Sequence, residues 1–419
     1  MKSEESEQVM AEWRKGWPLV LAGIVGFGFY SVMIYSIGLF MQPIGDEFGW
    51  GRSQLSIGLS MASILSIPLS PIIGAMIDRW GSRRLAIPGL ILISASISAF
   101  ALTNGSTTQW IVLWLFYAVC SLGVKATMWI AAVTSVFSAG RGLALAVTMT
   151  GAAFAQIIVP PYAQWLIAEF GWRAAWVGLG LGWGIPALLL SVLFLFDAHD
   201  RNREQQRQVD PNTLAGLSVK EAARCKDLWL IAGSTILMMM LTVAVLVHQV
   251  PILTDVGLSR EDAAWLASIG GIAGIAGKLA TGWMMDRFSP HKIAGSTMAF
   301  AGLGFFFLLE PFRSVPVIIA CMFVIGYSSG AKLQVTAFLT SRYAGTRNFG
   351  VIFGVMSSMI TVGAGIGPTL AGAIYDGFGS YSPLLMAGVP GCALAGYCLF
   401  RLSPQPRFTA SAVDHESDV

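Results

Sequence analysis

Apolar stretches of about twenty residues recur along the whole chain, separated by short polar segments. They lie at 17–41, 54–77, 84–103, 109–136, 143–168, 173–196, 228–252, 262–285, 292–310, 314–340, 349–375 and 381–402. A helix rises about 1.5 Å per residue, so each stretch is long enough to cross a hydrocarbon layer about 30 Å thick. The runs are too long for membrane strands and lack their two-residue alternation. The pattern predicts twelve transmembrane helices. One polar segment is much longer than the rest, "DAHDRNREQQRQVDPNTLAGLSVKEAARCKD" at 197–227. Its first part is charged and Gln-rich, and "SVKEAAR" has the composition of a short surface helix. The expected organisation is a tail (1–16), a six-helix bundle (17–196), a linker (197–227), a second six-helix bundle (228–402) and a second tail (403–419).

Composition agrees with this pattern. Of 419 residues, 55% are hydrophobic and 12% charged, and the mean hydropathy is +0.67. Soluble chains carry about 25% charged residues, so an all-α membrane protein is expected. No small-residue cleavage site follows the first apolar run, so the first span is expected to be retained. The five cysteines (Cys120, Cys225, Cys321, Cys392, Cys398) show no metal-ligand spacing, and their odd number gives no disulfide framework. Three of the four histidines (His199, His291, His415) fall in loops or the tail. No metal, no cofactor and no enzymatic activity are expected. The net charge of +3 needs no nucleic-acid partner, because its distribution has another cause. Nineteen of the 26 Lys and Arg fall in segments on the same side as both termini, against four on the opposite side (Arg52, Arg173, Arg260, Arg313). By the positive-inside rule both termini are expected on the cytoplasmic side of the membrane. The remaining three, Lys125, Lys278 and Lys332, fall inside apolar spans.

The two halves are related. "GAMIDRWGSRR" (74–84) recurs as "GWMMDRFSPHK" (282–292), which places Asp78 and Asp286 208 residues apart. Pro160 and Pro368, Phe170 and Phe378, and Gly142 and Gly350 keep the same offset of 208. Two bundles in a parallel repeat are an architecture of secondary transporters, whose site lies between the halves near mid-membrane. The loop motif resembles the signature of the major facilitator superfamily, and the resemblance covers about residues 17–402. It implies that Asp78, Arg79, Gly81, Arg83 and Arg84, with Asp286 and Arg287 in the weaker copy, lock one face of the protein when it closes. A narrower resemblance lies in "YSIGLFMQPIGDEFGWGRSQLS", "AGRGLALAVTMTGAAFAQIIVPP", "FGWRAAW" and "HQVPILTDVGLSREDAA". These are similar to bacterial monocarboxylate-transporter relatives and to the oxalate/formate exchangers. That implies movement of small organic carboxylates, by proton symport or by anion exchange. Lys278 matches the position where these families place a cation, usually arginine. Lysine keeps the charge but loses the bidentate fork.

A charge at the centre of a spanning helix costs about 2.5–3.5 kcal/mol on insertion scales. Lys125 is 15 residues from Gly140. At about 22 Å along a helix this is beyond the reach of a snorkelling side chain. Lys332, ten residues from Arg342, and Lys278, eight from Asp286, lie nearer an edge. Lys125 and Lys332 are 207 residues apart, close to the repeat offset, and are expected to face each other across the cleft. The acids Asp46, Glu47, Asp255, Glu310 and Asp376 sit at span ends, so an anionic cargo is the expected counter-charge. Trp129, four residues after Lys125, is expected to help wall the pocket, and the superfamily resemblance, in which the first span lines the cleft, implies the same of Tyr35 and Tyr30. His248 is the candidate for a coupling proton, because histidine titrates near neutrality. The sequence thus points to a monomeric carboxylate transporter in the bilayer. An exporter of amphipathic drugs or neutral metabolites, or a non-transporting receptor, remain the alternatives.

Overall fold

The computed structural model describes residues 2–137, 140–195, 216–312, 314–345, 348–404 and 406. The helices are α1 (Lys2–Phe48), α2 (Arg52–Trp80), α3 (Ser82–Ala99), α4 (Thr107–Ser121), α5 (Ala126–Val136), α6 (Arg141–Met149) and α7 (Gly151–Phe194) in the first half. A short helix α8 (Val219–Arg224) precedes α9 (Lys226–Asp255), α10 (Arg260–Arg287), α11 (Pro290–Phe307), α12 (Val315–Ala344), α13 (Phe349–Phe378) and α14 (Ser382–Phe400). All twelve apolar stretches are helical over most of their described length, as hydrocarbon requires: a backbone polar group there finds no water and must bond within its own segment. Among the described residues nine helical stretches are long and apolar enough to cross a membrane; one of them, Arg141–Phe194, holds two of the predicted spans. Most of the linker and of the second tail lies outside the described residues. The described end of the linker contains α8, where Ser218 and Glu221 form a capping box.

Two departures from the twelve-rod picture matter. Helix α7 contains most of span five, whose start lies in α6, together with span six, and turns between them at Gly171, whose φ of 78° a side chain would resist. Span four is not one helix. α4 ends at Ser121, a 3₁₀ turn covers Leu122–Val124, and α5 begins at Ala126.

Each half packs around its own core. In the first half Phe40 stacks on Trp176 at 3.7 Å between centroids, and Phe100 meets Trp110, Trp114 and Trp176 at 5.1–5.3 Å. These rings join α1, α4 and α7. In the second half α10 and α12 approach backbone to backbone, Gly270 against Gly326 and Gly274 against Gly330. Glycine permits this close approach, which supplies dispersion contacts where lipid gives no hydrophobic drive. The halves meet through α1 with α9, α2 with α13 and α7 with α10. The last two pairs exchange places under the 208-residue repeat.

The seam gives a direct test. A Cβ on Gly330 would collide with the backbone of Gly274, whereas one on Gly233 meets nothing within 4 Å. Overpacking costs about 1–3 kcal/mol. Gly330→Val should therefore lower the Tm of the detergent-solubilised protein by at least about 3 °C. Gly233→Ala should leave it unchanged or raise it.

Candidate substrate site

A cavity of about 590 Å³ lies between the halves at mid-height. Its first-half wall includes Tyr30 and Tyr35 of α1, Tyr117 and Ser121 of α4, and Lys125 with Thr127 at the start of α5. Its second-half wall includes Val243, Leu333, Ser357, Thr361 and Pro368. No acidic residue is among the described residues that line it. The wall is mainly apolar, and Phe27 stacks nearly parallel to Tyr30 at 6.2 Å.

The cation stands where it does because the helix breaks. Gly123, in the 3₁₀ turn, lies against Gly89 of α3; a Cβ on Gly89 would fall 2.9 Å from the Gly123 carbonyl oxygen. Lys125 then takes an extended conformation (φ −60°, ψ 163°) and becomes the N-cap residue of α5, without a capping side-chain bond. Irregular backbone at membrane depth is tolerated where it lines a cavity or is buried in protein.

Of the residues expected at the site, Lys125, Tyr30 and Tyr35 line the cavity. Lys332 does not. Only 8% exposed, it lies inside the second half, and its Nζ donates to Thr242 Oγ1 of α9 and, at 3.2 Å, to Ser329 Oγ. The reason is the single residue by which 207 differs from 208, since one residue turns a helix by about 100°. The residue 208 after Lys125 is Leu333, and Leu333 lines the wall. The residue 208 before Lys332 is Val124, which is buried. Lys278 also stands outside the cavity lining, half-buried on α10 beside Gly277, which packs on the Tyr327 backbone of α12. Trp129 is fully buried in the first half, its Nε1 donating to Val124 O at 3.0 Å and its ring against Gly26. The break removes the continuous register that placed Trp129 over Lys125. His248 is buried behind the wall: Nε2 is 2.9 Å from Pro368 O and Nδ1 is 2.7 Å from Tyr381 Oη. A carbonyl only accepts, so Nε2 carries the proton and Nδ1 accepts from the tyrosine.

The described hydrogen bonds of Arg83 in the signature loop lie within the first half. Arg83 donates to Leu195 O (3.0 Å) and Val192 O (2.8 Å) at the end of α7, while Arg79 and Arg84 are exposed. Gly81 ends α2 at φ 83°, its N–H on Ile77 O. Arg287 stacks 4.4 Å from the Trp283 ring. The side chains of Asp78 and Asp286 lie outside the described residues.

The halves are clasped at the end opposite the termini, the far end. Arg52 bonds both oxygens of Asp255 (3.2 and 3.3 Å) and lies 3.4 Å over the Tyr375 ring. Asp376 accepts from the backbone N–H groups of Arg52 and Ser53, each at 2.9 Å, so an acid of the second half caps α2 of the first. Ser60 donates to Gly365 O, and Arg260 reaches Leu39 O at 2.6 Å. Along α13, Cβ positions at Gly372 and Gly365 touch Ser53 and Ser63 of α2, whereas at Gly354, nearer the termini, nothing described lies within 4 Å. The far end is shut, and α2 and α13 part toward the tails. In the sequence Arg52 counted only as an orientation charge, and Asp255 and Asp376 only as loop acids. Tyr117 went unremarked in a run of aromatics.

Residues 21–247 and 228–417 match the model of the Major Facilitator Superfamily. The chain belongs to that superfamily. It is a multi-pass membrane protein of the all-α fold with two related bundles. It is 27% identical over 351 residues to human monocarboxylate transporter 12, covering 77% of this chain and 65% of the relative's length. The chain thus spans about two thirds of that relative. Bovine monocarboxylate transporter 13 is 23% identical (88% of this chain, 84% of the relative), and the MFS transporter asaE of Aspergillus flavus 26% (85% and 81%). Two solved structures share the fold. The nucleoside transporter NupG matches with a TM-score of 0.72 at 11% identity (92% of this chain, 99% of that one). A bacterial homologue of the human lysosomal transporter Spinster, inward-facing and unoccupied, matches with 0.64 at 16% (96% and 95%).

The clasp predicts that Arg52→Gln loosens the far end. A cysteine replacing buried Ser56 should then react with a membrane-impermeant maleimide added from that side at least about fivefold faster than in the Arg52 parent. Equal rates would mean that the ion pair does not hold the gate.

Proposed function

We propose that this transporter carries a small organic carboxylate by alternating access between its two halves. The observation that carries the reading is Lys125 in the wall of the central cavity, with no acid among the described lining residues. The monocarboxylate transporters among its relatives support the same class. With Lys278 and Lys332 outside the wall, one cation rather than three faces the cargo, which favours a single negative charge. We place the protein in a bacterial inner membrane as a monomer with both termini cytoplasmic, as the basic segments favour. On that placement the parted end faces the cytoplasm and the Arg52 clasp closes the outside. Signature-loop residues, including Asp78 and Arg83, would serve the opposite closure. The cargo moves with a proton or in exchange for another anion. His248 is our candidate for the proton, since its Nδ1 only accepts from Tyr381 and sits beside the clasp.

A second reading, a neutral metabolite, is favoured by the cavity's several hydroxyls, those of Tyr30, Tyr35, Tyr117 and Ser357 among them. Proteoliposome uptake separates the two. On the carboxylate reading Lys125→Ala lowers initial uptake of a monocarboxylate at least about tenfold while the Tm is kept. Lys278→Gln keeps uptake within about threefold. Full uptake of a carboxylate by a folded Lys125→Ala protein would remove the carboxylate reading.

A further inference from the structure

We infer that the carboxylate docks on the exposed N-terminus of α5, held by the backbone N–H groups of Ala126 and Thr127, the Lys125 ammonium and the Tyr117 hydroxyl. This rests on the carboxylate reading and adds the atoms that grip the cargo.

The break in span four leaves donors and uses up acceptors. Val124 O takes the indole N–H of Trp129 at 3.0 Å, and Lys125 O takes the Met128 N–H at 3.0 Å. The first N–H groups of a helix have no intrahelical partner. Those of Ala126 and Thr127 have none among the described residues, and both residues line the cavity. Helices ordinarily meet this need with Ser, Thr, Asp or Asn at the N-cap. Here the N-cap is Lys125, which puts a cation at the end of the helix that already carries positive partial charge. That arrangement is unfavourable for an isolated helix and favourable once an anion lies between the two. α5 has 11 residues, enough for its peptide dipoles to add.

Tyr117 gives an independent indication. It is 5% exposed, lines the same cavity from the other side of the break, and its hydroxyl has no hydrogen-bond partner among the described residues. The hydroxyl oxygen is not among the fully buried unpartnered atoms, so it reaches the cavity space, where it can donate to a carboxylate oxygen. The opposite wall offers little for a second charge. Thr361 and Ser358 already donate to carbonyls of their own helix, and no lysine or arginine of the second half is among the lining residues. The dock therefore selects a monocarboxylate whose body is apolar. The cavity lies within the range of about 300–1,000 Å³ typical of small-molecule pockets, so a ring-bearing body fits.

Proline at position 126 isolates the backbone contact. It is favoured at the first position of a helix, removes only the N–H, and suits the extended Lys125 before it. Binding of benzoate, propionate and succinate to purified protein would be measured by calorimetry. We expect wild type to bind benzoate at least about tenfold more tightly than succinate. Ala126→Pro should weaken benzoate about tenfold, and Tyr117→Phe about threefold or more. Ala126→Ser, which keeps the N–H, should stay within about twofold. Tight benzoate binding by wild type with no loss in either Ala126→Pro or Tyr117→Phe overturns the dock and leaves the carboxylate reading standing. No binding of any of the three acids by wild type overturns both. If the proline variant fails to fold, the Tyr117→Phe result decides alone.

Discussion

Hydrocarbon supplies no hydrogen bonds, so every peptide group at membrane depth must find a partner in the protein or face a wet cavity. The long helices follow from this rule. Its local suspension at 122–125 gives the centre of the molecule its chemistry. Four residues leave the α-helical ladder there, the carbonyls of Val124 and Lys125 are taken up by Trp129 and Met128, and the spare N–H groups open on the cavity beside an ammonium. A straight span four would have left Lys125 as an isolated charge with no organised donors around it.

The same rule shapes the far clasp. The start of α2 has no side-chain cap of its own at Gly51; its N–H groups are met by Asp376 of the opposite half. A helix end that needs an outside partner is a reversible fastener. It is satisfied by the acid when the halves meet and by water when they separate. Asp255 on Arg52 acts likewise, in a partly exposed setting where a charge pair gains only modestly over its solvated components. Contacts of this kind suit a gate, since neither state is greatly favoured.

Much of this was legible in the residues alone. Hydropathy marked the spans, the basic residues their alternation, and the 208-residue echo the two bundles. Tyr30, Tyr35 and Lys125 do line the cavity, the lysine expected there from its depth and the tyrosines from the place of the first span in the superfamily. The errors arose where one residue decides a direction. Lys332 differs from the repeat partner of Lys125 by a single step, which turns it from the cleft into its own bundle. Trp129 was aligned with Lys125 by a helical spacing that the break cancels. The break is written faintly, in Gly123 pressed on Gly89, a contact between residues of different helices that no local pattern displays. The clasp was hidden for a related reason: Arg52, Asp255 and Asp376 are far apart in the chain, and charges at helix ends are ordinary by themselves.

One carbonyl links chamber and clasp. Pro368 borders the cavity, while its oxygen holds the buried imidazole of His248, which in turn receives the Tyr381 hydroxyl close to the Arg52 guanidinium. His248, Pro368 and Tyr381 all belong to the second half, so parting the halves would keep this relay together and withdraw only the Arg52 guanidinium that lies over the Tyr381 ring. The imidazole is thus tethered within one bundle while the cation beside it belongs to the other.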